Sequence, residues 1–295
     1  MCHPGSALAS NPSVTESVVS VDGASLFCRS LGKGSPLIVI HGGGVPSHDY
    51  LLPYLYKLAE NHFVIFYDQR ACGRSTGNID PSHITVETFV HDLEAVRKAF
   101  GLDTVSLLGH SWGGLLAMNY AIAFPQHVKK LILANSAPAS SDDWSEMYAA
   151  YERKILPVKD AIGKIENSPQ FREKEPRAIA EWYHLVFSRY CDKPEKAELL
   201  DFHTTQSAAG HGMKVWEVLE GELFARPWSL FSSLHKLRIP TLIIHGKSDV
   251  IPESTSQHIH EAIQDSILST INHCGHFSYV EEPDVFFEMV EQFLR

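Results

Sequence analysis

One serine in this chain stands between two glycines with apolar runs on both sides: Gly109-His110-Ser111-Trp112-Gly113, inside LLGHSWGGLLAMNYA at 107–121. A strand-like run, VSLLG, precedes Ser111, and a helix-like run, WGGLLAMNYAIAF, follows it. A serine on so sharp a strand-to-helix turn holds a strained backbone and lifts its hydroxyl to the edge of a sheet. Side chains two positions before and two after would collide, which accounts for both glycines. The chemistry such a hydroxyl performs is nucleophilic attack with formation of an acyl-enzyme. The bland alternative is a small-residue turn that only packs helix on sheet. The strand before and the helix after are the context that favours a nucleophile.

A serine hydroxyl is a weak nucleophile without a base. In the strand-turn-helix arrangement the partners follow in the order Ser, acid, His. The acid candidate is Asp249 in TLIIHGKSDVIP, just past a strand end; Asp142 and Asp143, after LILANSAPASS, are rivals in a less usual position. For the base, INHCGHFSYVEEP offers His273 and His276. His276 is favoured, because it follows Gly275, lies further from the strand end and precedes the last helix. Acyl transfer also needs donors for an oxyanion. The glycine run of VIHGGGVPSHDYL lets backbone N–H groups approach a ligand closely, so the N–H of Gly43 and that of Trp112 form the expected pair. A phosphate-binding loop is the competing reading. It fails because no Gly-Lys-Ser/Thr follows and the dinucleotide spacing is missing. The histidine pairs 258/260 and 273/276 lack further ligands at suitable spacing, so neither a metal nor a cofactor is expected.

These residues need a scaffold. SVVSV and ASLFCRS flank Asp22-Gly23, a two-residue hairpin signal. Six short apolar runs follow: PLIVIH (36–41), FVIFY (63–67), VSLLG (105–109), KLILAN (130–135), TLIIHG (241–246) and ILSTI (267–271). Runs this short and this apolar suit parallel strands buried on both faces. Between them, Val86, Phe89, Val90, Leu93, Val96 and Phe100 recur at helical spacing, and Gly101 marks a stop. A second helix follows Ser111 and ends before Pro125, and DVFFEMVEQFL is an amphipathic last helix. The alternation predicts an α/β fold with a mostly parallel, doubly wound sheet. From about Pro138 to Phe231 the rhythm breaks into helical periods, as in PRAIAEWYHLVFSRY. The bland reading of that stretch is a packing appendage; the favoured one is a helical cap (138–231) inserted in a core made of 14–137 and 232–295, shaping a pocket over the carboxyl edge of the sheet, where ligands of open α/β sheets bind.

Composition bounds the function. The 295 residues carry a formal net charge of −10, which argues against a nucleic-acid binder, since that would show a basic face. The opening MCHPGSALASNPS has neither a basic start nor an apolar h-region, so no signal peptide is expected. No apolar run is long enough to span a membrane. Five scattered cysteines, an odd number, suit reduced thiols in a cytoplasmic protein. The expected partner is a small-molecule or short-peptide substrate. The sequence carries no signal for an oligomeric state.

The chain resembles the α/β-hydrolases with a cap and, more narrowly, the proline iminopeptidase (prolyl aminopeptidase) group of serine peptidases. HGGGVPSHDYL (41–51), YDQRACGRS (67–75) and GHSWGG (109–114) carry the resemblance, while PTLIIHGKSD and GHF fit the wider superfamily. It covers about residues 14–137 and 232–295. It implies Ser111, Asp249 and His276 as triad, with Gly43 and Trp112 as oxyanion donors. The first motif of the family usually reads His-Gly-Gly-Pro-Gly, against His41-Gly42-Gly43-Gly44-Val45 here, and the second has glycine where Ala71 stands. Family caps tend to carry a Trp-Gly-Pro-x-Glu-Phe-like segment whose glutamate holds the free amino group of the substrate. VWEVLEGELF keeps the Trp216–Glu220 spacing without the Gly-Pro and the Phe. The resemblance thus implies Glu220, Trp216 and Gly42 as substrate contacts, with Glu217 and Glu222 as rivals of Glu220. The activity it implies is a serine aminopeptidase releasing N-terminal proline or a small residue from short peptides. A carboxylesterase or lactonase uses the same triad without an anionic cap group, and a non-catalytic ligand receptor is the reading from another class. Epoxide hydrolase and dehalogenase chemistry would want aspartate in place of Ser111.

Overall fold

Asp22-Gly23 turns the chain back on itself, with Gly23 at a φ of +67°, and sets β1 (Thr15–Val21) antiparallel to β2 (Ala24–Leu31). The computed structural model describes residues 13–44 and 47–295. Residues 1–12 of the stretch read for a signal peptide, Cys2 among them, and Val45 of the glycine loop lie outside the described residues. The apolar runs become β3 (Ser35–Ile40), β4 (His62–Tyr67), β5 (Val105–His110), β6 (Val128–Ala134), β7 (Thr241–Gly246) and β8 (Ser266–Ile271). They form one eight-stranded sheet in the order β1-β2-β4-β3-β5-β6-β7-β8. β2 joins β4 antiparallel, and every pairing from β4 to β8 is parallel.

Successive side chains of a strand point to opposite faces, and the central strands β3 to β7 are covered on both, which is why their runs are largely apolar; the edge strand β8 is only partly covered, with Ile267 exposed. Ile38, Ile40, Leu107, Leu131 and Leu133 pack on one side with α1 (Val86–Ala99) and α2 (Trp112–Ala123). Leu37, Val39, Leu108, Ile132 and Ile244 pack on the other with Phe286, Phe287 and Val290 of the C-terminal helix. The hydroxyl of Thr85 caps α1 by accepting from the Thr88 N–H, and Gly101 follows its end at a φ of +65°.

Between β6 and β7 run α3 (Ser141–Ile155), α4 (Lys159–Glu166), α5 (Pro169–Arg172), α6 (Pro176–Ser188), α7 (Gln206–Phe224) and α8 (Phe231–Leu234). This segment leaves and rejoins the sheet at one place: the Leu230 N–H donates to Ala139 O and the Ser141 N–H to Trp228 O. After β7 come α9 (Glu253–Ala262), α10 (Ser278–Glu281) and α11 (Pro283–Leu294). Among the described residues no helix is long and apolar enough to cross a membrane. Cys28, Cys72, Cys191 and Cys274 are free, buried thiols.

Candidate active site

Ser111 sits between β5 and α2 at φ 57°, ψ −123°, a conformation that costs a non-glycine residue roughly 1–3 kcal/mol. The surroundings hold it there. Its N–H donates to Ala134 O (3.1 Å), and its carbonyl accepts from the N–H groups of Gly114 (2.8 Å) and Ala137 (2.9 Å). A Cβ on Gly109 would overlap the Gly113 carbonyl, within the turn itself. A Cβ on Gly113 would instead overlap Ile40 O and lie 2.7 Å from His41 O. The second glycine therefore answers to β3, against which the first turn of α2 is pressed.

The loops past β7 and β8 bring Asp249 to His276. The ring Nδ1 lies 2.9 and 3.0 Å from the two carboxylate oxygens. An ionised carboxylate only accepts, so Nδ1 carries the proton and Nε2 is left as the basic nitrogen. Burial pushes the Asp249 carboxyl up. The facing imidazole, its hydrogen bond and the Asn135 amide (2.9 Å) more than offset this and hold it below the usual carboxylate range. Its other oxygen accepts from the Ile251 N–H at 3.1 Å. The rivals lie elsewhere. Asp143 is bonded to His258 at 2.9 Å, Asp142 is an exposed residue in the first turn of α3, and His273 is exposed.

The glycine loop after β3 lies beside Ser111. The Gly42 N–H is taken by the Tyr50 hydroxyl at 2.8 Å. Gly43 lies so close under the Trp216 indole that a Cβ there would fall inside the ring. Trp112 is the first residue of α2, so its N–H has no acceptor within the helix. One residue holds both segments. Gln69 donates from its backbone N–H to His41 Nε2 (3.0 Å) and from its amide to His41 O (2.7 Å), and accepts from the Trp112 indole N–H (2.9 Å). Burial holds the His41 imidazole down at about 4. It is therefore neutral, and its Nδ1 donates to Gly42 O at 2.7 Å. The sequence reading quoted Gln69 in a motif but assigned it no role. Gln69→Leu should lower kcat by about 10- to 100-fold with KM little changed, because it strands a buried indole N–H and a buried carbonyl. Steady-state kinetics on one amide and one ester check this, and an unchanged kcat would separate Gln69 from the reacting centre.

His110 and Tyr50 were also missed. Burial, then the neighbouring His276 ring, hold the His110 imidazole down at about 3. Its Nε2–H donates to His276 O (2.9 Å), and its Nδ1 accepts from the Tyr50 hydroxyl (2.7 Å). A chain of bonds thus runs from the Gly42 N–H through Tyr50 and His110 to the carbonyl of His276.

Ser111, His276, Gly43 and Trp112 line one cavity of about 270 Å³ at the carboxyl edge of the sheet. The helical segment supplies much of the opposite wall, with Trp144, Tyr148, Tyr151, Tyr190 and Trp216 among its residues. Glu220 is the one carboxylate among the described lining residues. It stands one turn after Trp216 on α7, and Tyr148 donates its O–H to it. Burial pushes the Glu220 carboxyl up, and the bonds from Tyr148 and Trp216 offset only part of that. Glu222 accepts instead from the Val86 N–H (3.0 Å), and Glu217 pairs with Lys214 (2.9 Å) at the surface.

Comparison with known proteins agrees with this architecture. Residues 35–283 match the family described as alpha/beta hydrolase fold. The chain is 31% identical to a proline iminopeptidase of Saccharolobus solfataricus over 90% of its own length and 86% of that protein. It is 29% identical to a proline iminopeptidase of Thermoplasma volcanium, over 94% and 95% of the two chains. The crystal structure of proline iminopeptidase from Mycobacterium smegmatis superposes with a TM-score of 0.70 at 26% identity, covering 95% of this chain and 97% of that one. A likeness that runs nearly end to end in both sequence and fold leaves one conclusion: this chain belongs to the alpha/beta hydrolase family and, within it, to the proline iminopeptidase group of hydrolases.

Proposed function

We propose that this chain is a serine aminopeptidase that releases an N-terminal proline or another small residue from short peptides. The observation that carries the reading is Glu220, a single carboxylate in a largely aromatic cavity shared with Ser111 and His276. A substrate with a free amino terminus meets it there through a charge-assisted hydrogen bond, while the first carbonyl lies over Ser111. The Ser111 hydroxyl attacks that carbonyl as His276 Nε2 takes its proton. Asp249 holds the required tautomer and stabilises the imidazolium. The N–H groups of Gly43 and Trp112 receive the oxyanion. Collapse expels the leaving amine, which takes the proton back from His276. Water, activated by the same imidazole, then hydrolyses the acyl-enzyme. Residues 138–231 serve as the cap over a core of 14–137 and 232–295. The reading uses neither metal nor cofactor, and neither nucleic acid nor a membrane as partner. The buried free thiols support a cytoplasmic setting.

The test separates an amine anchor from a plain esterase pocket. Glu220→Gln should lower kcat/KM for a free-amine prolyl amide by about 10- to 150-fold, the range for a buried hydrogen bond to a charged group. It should leave a short-chain ester without an amine nearly unchanged. Acetylating the amine should cost the wild type a similar factor and the variant little. If both substrates respond equally, or neither does, the amine-anchor role is wrong and a carboxylesterase or lactonase takes its place.

A further inference from the structure

Glu281, the last residue of α10, is 6% exposed. A buried carboxylate without a cation loses several kcal/mol of solvation unless its oxygens are fully bonded. Here backbone amides offset part of that cost, and burial still holds the Glu281 carboxyl above its usual value. Oε1 accepts from the Phe277 N–H at 3.2 Å and Oε2 from the Asp192 N–H at 2.7 Å. The first of these donors directly follows His276 in the chain. The N–H of His276 itself donates to Tyr190 O at 2.9 Å. Two consecutive N–H groups, 276 and 277, are thus held by the turn at 190–192 and by Glu281, which also binds that turn. That turn is pressed on the loop: a Cβ on Gly275 would overlap Tyr190 O and lie 2.8 Å from Asp192 N.

We propose that Glu281 is a positioning residue for the base: its carboxylate fastens the backbone next to His276 to the helical segment and so aims Nε2 at Ser111. It does not line the cavity itself, whereas Tyr190, in the turn it binds, does, so an effect on the pocket would show in KM and an effect on the base in kcat and in acylation of Ser111. The inference rests on the reading of His276 as base, and the experiment keeps the two apart. The readout is the rate at which a fluorophosphonate acylates Ser111, which needs the base but not the substrate pocket. His276→Ala comes first and should slow labelling by orders of magnitude; labelling at the wild-type rate would remove the base assignment itself, and the inference with it. Glu281→Gln preserves shape but turns an amide N–H toward backbone donors. It should slow labelling and lower kcat by about the same factor, 10- to 100-fold, with KM within about two-fold. In the His276→Ala background it should add less than about two-fold, because a positioning effect vanishes with the group it positions. Equal slowing with and without His276, or a wild-type rate in Glu281→Gln, would overturn the proposal. Should Glu281→Gln fail to fold, Glu281→Asp, which keeps the charge and shortens the reach, carries the same cycle with a smaller loss.

Discussion

Ser111→Ala should reduce turnover of a prolyl amide by about a millionfold, and His276→Ala by a similar factor, because nucleophile and base act as a unit. Asp249→Asn should cost about ten-thousandfold for a separate reason. Both oxygens of Asp249 face Nδ1 of His276, and each has a further donor, the Ile251 N–H and the Asn135 amide. An amide in place of the carboxylate puts N–H groups against at least one donor. Turned toward the ring, it forces the proton from Nδ1 to Nε2, where it blocks the acceptance of the serine proton. The catalytic loss is one of tautomer; the donor left facing an amide N–H should also lower the melting temperature by a few degrees, so the kinetics are read well below the melting point, where Asp249→Asn remains folded. The double variant Ser111→Ala, His276→Ala should be no slower than either single one. Kinetics and fluorophosphonate labelling check both statements. Undiminished labelling in Ser111→Ala would show that another residue is the nucleophile. Losses that multiply in the double variant would show that the two do not act together.

The parts of this site that were readable in the sequence are those whose cause is local. The central strands are largely apolar because both their faces are covered, and that shows in runs such as PLIVI and LII of β7. The turn at Ser111 needs Gly109 within four residues of its own clash. Trp216 and Glu220 share a helix face because four residues make about one turn, which holds without the Gly-Pro of the related segment. The bracing of the loops was not readable, because its partners are far apart in the chain. Gln69 meets Trp112 across 43 residues, Tyr50 meets His110 across 60 and Glu281 meets Asp192 across 89. Nothing in the local pattern of VEEP marks Glu281 as different from Glu282. Only burial does, since one carboxylate accepts from two backbone amides and the other is half-exposed. His110 was hidden in the same way among seventeen histidines. Its type is unremarked in the pentapeptide, and its role follows from a neutral ring held between a hydroxyl and a carbonyl.

Gly113 is where local and distant causes meet, and the second large effect is expected there. A single methyl at this position must enter the space of Ile40 O and His41 O at the end of β3. These are backbone atoms of a central strand, so no side-chain rotation relieves the overlap and α2 has to move as a body. Gly113→Ala should therefore destabilise by about 3 kcal/mol, the upper end for overpacking, and lower the melting temperature by roughly 6–12 °C. The control is the same substitution at Gly163 in α4, where a Cβ meets nothing within 4 Å. There alanine should stabilise by about 0.5–1 kcal/mol through helix propensity and backbone entropy. Opposite signs for one chemical change would isolate the contact with β3 as the cause. Activity should fall as well, because the shift carries the Trp112 N–H away from Gly43 and tilts Ser111 away from His276. The fall should persist at temperatures well below the melting point. A Gly113→Ala protein that melts at or above the wild type would mean that α2 does not approach β3 this closely. The strained turn at Ser111 would then need another explanation.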